Sequence, residues 1–177
     1  MNREQLEHVL RASAAITLDT SFVVIGSQSV LLAYPDAPED LLLSNEVDLY
    51  PAMHPERADL IDGAIGQLSM FHDTFGYHAD GVGPETATMP GDWLTFARLY
   101  YIGEITVLSP DLHDIAVSKC VAGREKDADW VRALFRHRMI DLERLVLRLE
   151  QLDRASRPIE PIVAWARRRA AEANSTP

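Results

Sequence analysis

The sequence predicts an α/β (α+β) domain: a small mixed β-sheet flanked by helices, with a helical C-terminal part. Three observations carry this. Two short strand-like runs, Ser21-Phe-Val-Val-Ile25 and Glu46-Val-Asp-Leu-Tyr50, are separated and followed by helical patterns. From Ser109 onward the apolar residues recur only at helical spacing. The chain has 177 residues, 47% hydrophobic and 25% charged, which is ordinary for a domain able to bury its own core.

The elements follow in order. Asn2 to about Ala15 reads as a helix, with Asn2 as cap, Gln5 as the returning partner of a capping box, and Leu6, Val9 and Leu10 as its buried stripe. Ser21–Ile25 is a continuous β-branched and apolar run, hence a buried strand, and Gly26 ends it. Ser27 to Tyr34 reads as a short helix stopped by Pro35, and Pro35 to about Leu42 as a surface loop. Glu46–Tyr50 alternates acid and apolar and stops at Pro51, so it reads as a strand. Pro55 to about Ser69 is expected to be helical, and Phe75 to Val82 a strand. Two more strands are expected around Trp93–Leu99 and Gly103–Leu108. Ser109-Pro-Asp-Leu reads as an N-cap with proline at the first helical position, opening a helix to about Gly123. Further helices are expected near 126–138, 141–153 and 159–173. The expected division is 1–108 for the α/β core and 109–177 for the helical region packed on it.

Composition excludes several classes. The formal charge of −10 argues against generic nucleic-acid binding, because neutralising phosphates requires a basic footprint. No apolar run approaches the roughly 18–20 residues of a membrane helix, so no membrane partner is expected. The first twenty residues carry Glu4, Glu7 and Asp19 and do not read as a signal peptide. One cysteine allows no internal disulfide, and a cytoplasmic location is expected.

Chemistry concentrates in two places. Glu46 and Asp48, at i and i+2 of a strand, point to the same face and repel unless something positive lies between them. Mg2+ (or Mn2+) suits such a pair, since it takes one or two carboxylates and completes its shell with phosphate oxygens and water. Two such ions can clamp a displacement at phosphorus. The plainer alternative is an amphipathic strand with one wet face. Upstream, Gly26-Ser27 joins a strand to a helix. Glycine lets the backbone approach a ligand, and free N–H groups at a helix start suit a phosphate. The plainer alternative is a turn and a cap.

Strand, Gly26-Ser27, helix and Glu46-Val-Asp48, in this order, resemble the nucleotidyltransferase superfamily with the polymerase β-type palm. Asp80 in Tyr77-His-Ala-Asp80 matches its third acid, with Glu85 and Asp92 as alternatives. Leu108-Ser-Pro-Asp-Leu112, Lys119 and Gly123-Arg-Glu-Lys-Asp127 resemble the AbiEii/MenT-like bacterial branch, which includes toxins of toxin–antitoxin pairs. The resemblance covers about residues 20–140. It departs at Glu46, where the superfamily mostly has Asp, and at Leu41-Leu42-Leu43, where relatives often carry arginine.

The resemblance implies a metal-dependent nucleotidyltransferase that moves a nucleotidyl group from a nucleoside triphosphate to an acceptor hydroxyl on a tRNA 3′ end, a protein or a small molecule. It gives Glu46, Asp48 and Asp80 the catalytic metal side. It gives Gly26, Ser27 and Lys119 the phosphates, and Asp127 the orientation of Lys119. It also implies a cognate antitoxin as a partner. A rival reading keeps the fold without catalysis, as a module that binds a nucleotide or a protein. Helical spacing independently places Lys119 on the stripe of Leu112, Ile115 and Ala116, and Asp127 on that of Trp130, Val131 and Leu134. Both charges on core-facing sides suggest a site; a snorkelling lysine and a helix-start acid are the plainer alternative. The six histidines show no metal spacing, and His72 and His78 are read as structural or surface residues. Cys120 is read as a small core residue, and Arg167-Arg168-Arg169 as a solvated face or an RNA contact.

Overall fold

The structure, a computed structural model, describes residues 1–175. It divides the described residues into two units, residues 1–86 with 97–110, and residues 87–96 with those from 111 onward.

The first unit is a five-stranded mixed sheet with helices. Its elements are α1 (Arg3–Thr17), β1 (Ser21–Val24), α2 (Val30–Ala33), β2 (Glu46–Pro51), α3 (Ala58–Ile65), α4 (Met70–Phe75), β3 (His78–Gly81), β4 (Arg98–Ile102) and β5 (Ile105–Ser109). The strand order is β3-β2-β1-β5-β4. β1 runs antiparallel to β2 and parallel to β5, β3 runs parallel to β2, and β4 closes an antiparallel hairpin with β5.

Local chemistry explains most boundaries. Asn2 caps α1 by accepting from the Gln5 N–H at 3.0 Å, while the Gln5 side chain accepts from the Asn2 N–H at 2.8 Å. This is the capping box expected from the sequence. The helix expected over 27–34 is a three-residue 3-10 turn, Ser27–Ser29, followed by the single turn of α2. The strand expected over Phe75–Val82 starts only at His78. Ser69 caps α4 through the His72 N–H, and Gly76, at φ 75°, ends it, so Phe75 stays helical. The strand expected over Trp93–Leu99 is also shifted. Trp93–Thr95 form a 3-10 turn, and β4 starts at Arg98 because pairing fixes it there. The tight turn at Gly103-Glu104 sets Ile102 opposite Ile105, which puts Arg98 opposite Ser109, the last residue of β5. Gly103, at φ 60°, supplies the backbone hand such a turn needs.

Gly81 identifies the two faces of the sheet. A Cβ there would fall on the Ala58 carbonyl of α3, so Gly81 lies on the face that α3 covers. Alternation puts Ala79 on the same face. The parallel register, Val47 opposite Ala79 and Leu49 opposite Gly81, adds Val47 and Leu49. All three side chains are fully buried, with α1 and α3 packed on this side. Glu46, Asp48, His78 and Asp80 therefore share the opposite face.

The second unit holds α5 (Leu112–Ala122), α6 (Glu125–Arg136), α7 (Leu142–Glu150) and α8 (Glu160–Ser175). The cap of α5 is Asp111 rather than the expected Ser109. Asp111 accepts from the His113 N–H at 3.0 Å, whereas Ser109 is still in the sheet. Arg148 of α7 grips Asp114 of α5 in a buried fork, Nε to Oδ1 at 2.6 Å and Nη2 to Oδ2 at 3.0 Å. Its Nη1 donates to Asp92 at 2.8 Å, and its guanidinium lies 4.5 Å from the Phe96 ring centroid. That fork joins residues 87–96 to the helices.

Candidate active site on the sheet face

β2 and β3 lie side by side in a parallel ladder that sets Glu46 opposite His78 and Asp48 opposite Asp80. The His78 N–H donates to the Asn45 carbonyl at 2.9 Å, and the Val82 N–H to the Leu49 carbonyl at 3.1 Å, so the ladder extends past both ends of the pairing. Four polar side chains thus occupy adjacent places on one face. Such a cluster costs folding energy and is retained where something else uses it.

Glu46, His78 and Asp80 form the tighter group. Each offers a ligand atom within 4.8 Å of the other two. His78 Nε2 lies 3.3 Å from Asp80 Oδ1. The imidazole is buried, and its Nδ1 has no hydrogen-bond partner among the described residues. The His72 ring packs against it with centroids 4.5 Å apart. Two carboxylates and a ring nitrogen that converge at this spacing fit a divalent cation.

Asp48 stands outside that triad and meets the Gly-Ser turn instead. The Ile25 N–H donates to the Asp48 carbonyl at 3.0 Å, which carries the β1–β2 ladder one residue further and sets Gly26 beside Asp48. A Cβ at Gly26 would fall on the Asp48 carboxylate, with Cγ at 2.8 Å and Cβ at 3.1 Å. The glycine is there so that the acid can lie against its backbone. Its φ of −85° is open to any residue, so close approach rather than backbone hand requires it. Ser27, half-buried, opens the 3-10 turn that follows. Tyr50 is the next residue along this face of β2, and burial, with the charge of Glu85, pushes its phenol up.

A family model described as a nucleotidyltransferase of unknown function (DUF6036) matches residues 4–161. The chain belongs to this family. No curated protein and no solved structure matches it. The match spans both halves of the sequence resemblance and supports the nucleotidyltransferase superfamily.

The remaining two candidates lie in the second unit. Lys119 Nζ on α5 is 3.4 Å from Asp127 Oδ1 on α6, and the Asp127 side chain is 1% exposed. Asp127 also accepts from the Arg124 backbone N–H at 3.2 Å and from Arg124 Nε at 2.7 Å. Burial alone would raise its carboxyl. The bonds from Arg124 and the charge of Lys119 outweigh that and hold it below the ordinary carboxylate value. Arg124 is thus a partner of Asp127 while its side chain stays more than half exposed.

His78 is the residue that the sequence reading passed over. Its signal was present. His78-Ala-Asp80 repeats the i, i+2 pattern of Glu46-Val-Asp48, and two such strands in register place all four side chains on one face. The spacing between histidines does not reveal a histidine whose neighbours are acids.

Proposed function

We propose that the protein is a metal-dependent nucleotidyltransferase that moves a nucleotidyl group from a nucleoside triphosphate to an acceptor hydroxyl. The observation that carries this reading is the polar cluster across β2 and β3. Glu46 and Asp80 lie with His78, one position away from Asp48, which nests on Gly26. The family supports the class of reaction.

Glu46, Asp80 and His78 would hold a divalent ion, with Asp48 on the same face as a further carboxylate. When bound, the ion supplies positive charge to the phosphates and lowers the cost of charge building on the transferring group. The chain's own groups do the rest. Gly26 and Ser27 offer a close backbone approach and a hydroxyl to the phosphates. Asp80 takes the proton from the acceptor hydroxyl. The acceptor oxygen forms its bond to the α-phosphorus, the bond to the bridging oxygen breaks, and pyrophosphate leaves. The roles of Lys119 as a phosphate contact and of Asp127 as its orienting acid rest on the resemblance. Their test is a raised KM for the nucleotide in Lys119→Ala with an unchanged KM for the acceptor.

The finer reading is the toxin of a toxin–antitoxin pair, with a tRNA 3′ end, a protein or a small molecule as acceptor, in the manner of the AbiEii/MenT-like branch. Its support is the second-half resemblance from Leu108 to Asp127. The test is transfer of label from each α-labelled nucleoside triphosphate, with Mg2+ or Mn2+, in the presence of bulk tRNA and of cell protein. Label on tRNA or on protein names the acceptor class, and small-molecule extracts test the third. One observation favours the rival, a non-catalytic module that binds a nucleotide or a protein. Asp48 lies against Gly26 rather than among the donors of the triad. Metal-dependent nucleotide binding without transfer to any acceptor would establish that module.

A further inference from the structure

We propose that the Glu46–His78–Asp80 site is a mixed nitrogen–oxygen site that selects a first-row transition dication, with Mn2+ bound in preference to Mg2+, and that His78 makes the selection. The proposal rests on the nucleotidyltransferase reading for the use of the ion, but its geometry stands alone.

Three features of the chain point this way. The first is the donor set. Mg2+ is a hard ion that favours oxygen ligands and holds on to its water, whereas an imidazole nitrogen adds far more to the binding of transition ions. A site of acids alone would leave that choice to the geometry of oxygens. Here the nearest third donor to Glu46 and Asp80 is a ring nitrogen.

The second feature is position. The register places His78 directly opposite Glu46, and alternation along β3 brings Asp80 to the same face. Bonds of about 2.1 Å to one octahedral ion place cis donors about 3.0 Å apart and trans donors about 4.2 Å apart. The present spacing is within 4.8 Å, so side-chain rotations that move a donor by about one to two ångströms complete the set.

The third is the state of the imidazole. It is buried at 6% exposure, its Nε2 faces the acids at 3.3 Å from Asp80 Oδ1, and its Nδ1 makes no hydrogen bond among the described residues. A buried histidine kept for structure alone would have its polar atoms satisfied by the fold. Its ring packs against that of His72 at a tilt of 42°, and His72 Nδ1 accepts from the Leu68 N–H at 3.2 Å, so this contact leaves His78 Nε2 to the acids.

The experiment uses the full chain with MnCl2 and MgCl2 as probes. Loss of the free Mn2+ electron paramagnetic resonance signal gives its affinity, and competition with MgCl2 gives the ratio of the two ions. Wild type is expected to bind Mn2+ at least 10-fold more tightly than Mg2+. Electron spin-echo spectra of the bound Mn2+ are expected to show modulation from a coordinated nitrogen. His78→Gln, its fold verified by circular dichroism, is expected to lose that modulation and to bring the ratio down about 10-fold. Equal binding of the two ions by wild type, or no nitrogen modulation, overturns the proposal. So does an unchanged ratio in a folded His78→Gln. If that variant fails to fold, the wild-type ratio and modulation still decide. These readouts are independent of nucleotidyl transfer. A nitrogen-free site in an enzyme that transfers label would sink this inference and leave the function standing. A nitrogen-ligated site in a chain that transfers nothing would do the reverse.

Discussion

Gly26→Ala separates the two things this glycine could be doing. The added methyl falls on the Asp48 carboxylate, and even with the carboxylate swung aside it meets Asp48 Cβ at 3.1 Å. Displacing the carboxylate and easing the remaining Cβ contact together cost about 1–3 kcal/mol by comparison with overpacked sites. Against this, the backbone at φ −85° accepts alanine, and the stiffer unfolded chain returns about 0.4–1 kcal/mol. The net loss of stability is thus about 1–2 kcal/mol, and the protein stays folded. Activity responds differently. The carboxylate must leave its place, and a misplacement of about 1 Å at a reacting centre costs on the order of 100-fold in rate. The assay pairs urea unfolding with label transfer from the preferred nucleotide. The expected result is a folded protein about 100-fold less active. The same substitution made in Asp48→Ala meets only the remaining Cβ, so its stability cost shrinks and its activity cost disappears. Refutation would be full activity in Gly26→Ala, or equal effects of the substitution with and without the Asp48 carboxylate.

Four other expectations follow from the geometry. Asp111 accepts from His113 and pairs with Arg144, and although burial opposes this, its carboxyl falls from 3.8 to about 2. A lowered acid stabilises above its unfolded value, so this contribution, about 2 kcal/mol, is present at neutral pH and lost as pH falls from about 4 to 2; Asp111→Asn should flatten that limb of the stability profile measured by urea unfolding. Arg148→Met leaves Asp114 buried without its fork and should cost about 3–5 kcal/mol, more than Asp114→Asn, which leaves Arg148 its bond to Asp92. Burial pushes the Cys120 thiol up to about 12, so it should resist a thiol reagent at pH 8 in the folded protein and react promptly in urea. Asn2→Ala removes the cap of α1 and should cost about 1 kcal/mol by the same unfolding measurement.

Most of the fold was legible because its signals are local. The β-branched run of β1 and the cap Asn2 need no distant partner to be read. The acid alternation of β2 likewise declared which face was wet. The misplaced elements depend on pairing. Arg98 is the start of β4 only because the turn at Gly103 sets it opposite Ser109, and nothing near Trp93 announces that. α4 was missed although Ser69 and Gly76 punctuate it, because six residues with three polar ones among them are too few to show a helical period. In the candidate site, the Gly-Ser turn and the acid strand were visible separately. Their physical link, Asp48 resting on Gly26, required the register of β1 and β2. His78-Ala-Asp80 repeats the pattern of Glu46-Val-Asp48 and was readable as such, but its place opposite Glu46 is a fact about two strands, not about one stretch of chain.

The most direct test of nucleotidyl transfer counts both products. Pyrophosphate release and incorporation of α-label are measured together, with tRNA, protein and small-molecule acceptors and with Mg2+ or Mn2+. Equal amounts of the two, both abolished in a folded Asp48→Ala, are the predicted result. Neither product with any nucleotide, ion or acceptor, or label transfer undiminished in Asp48→Ala, would contradict it.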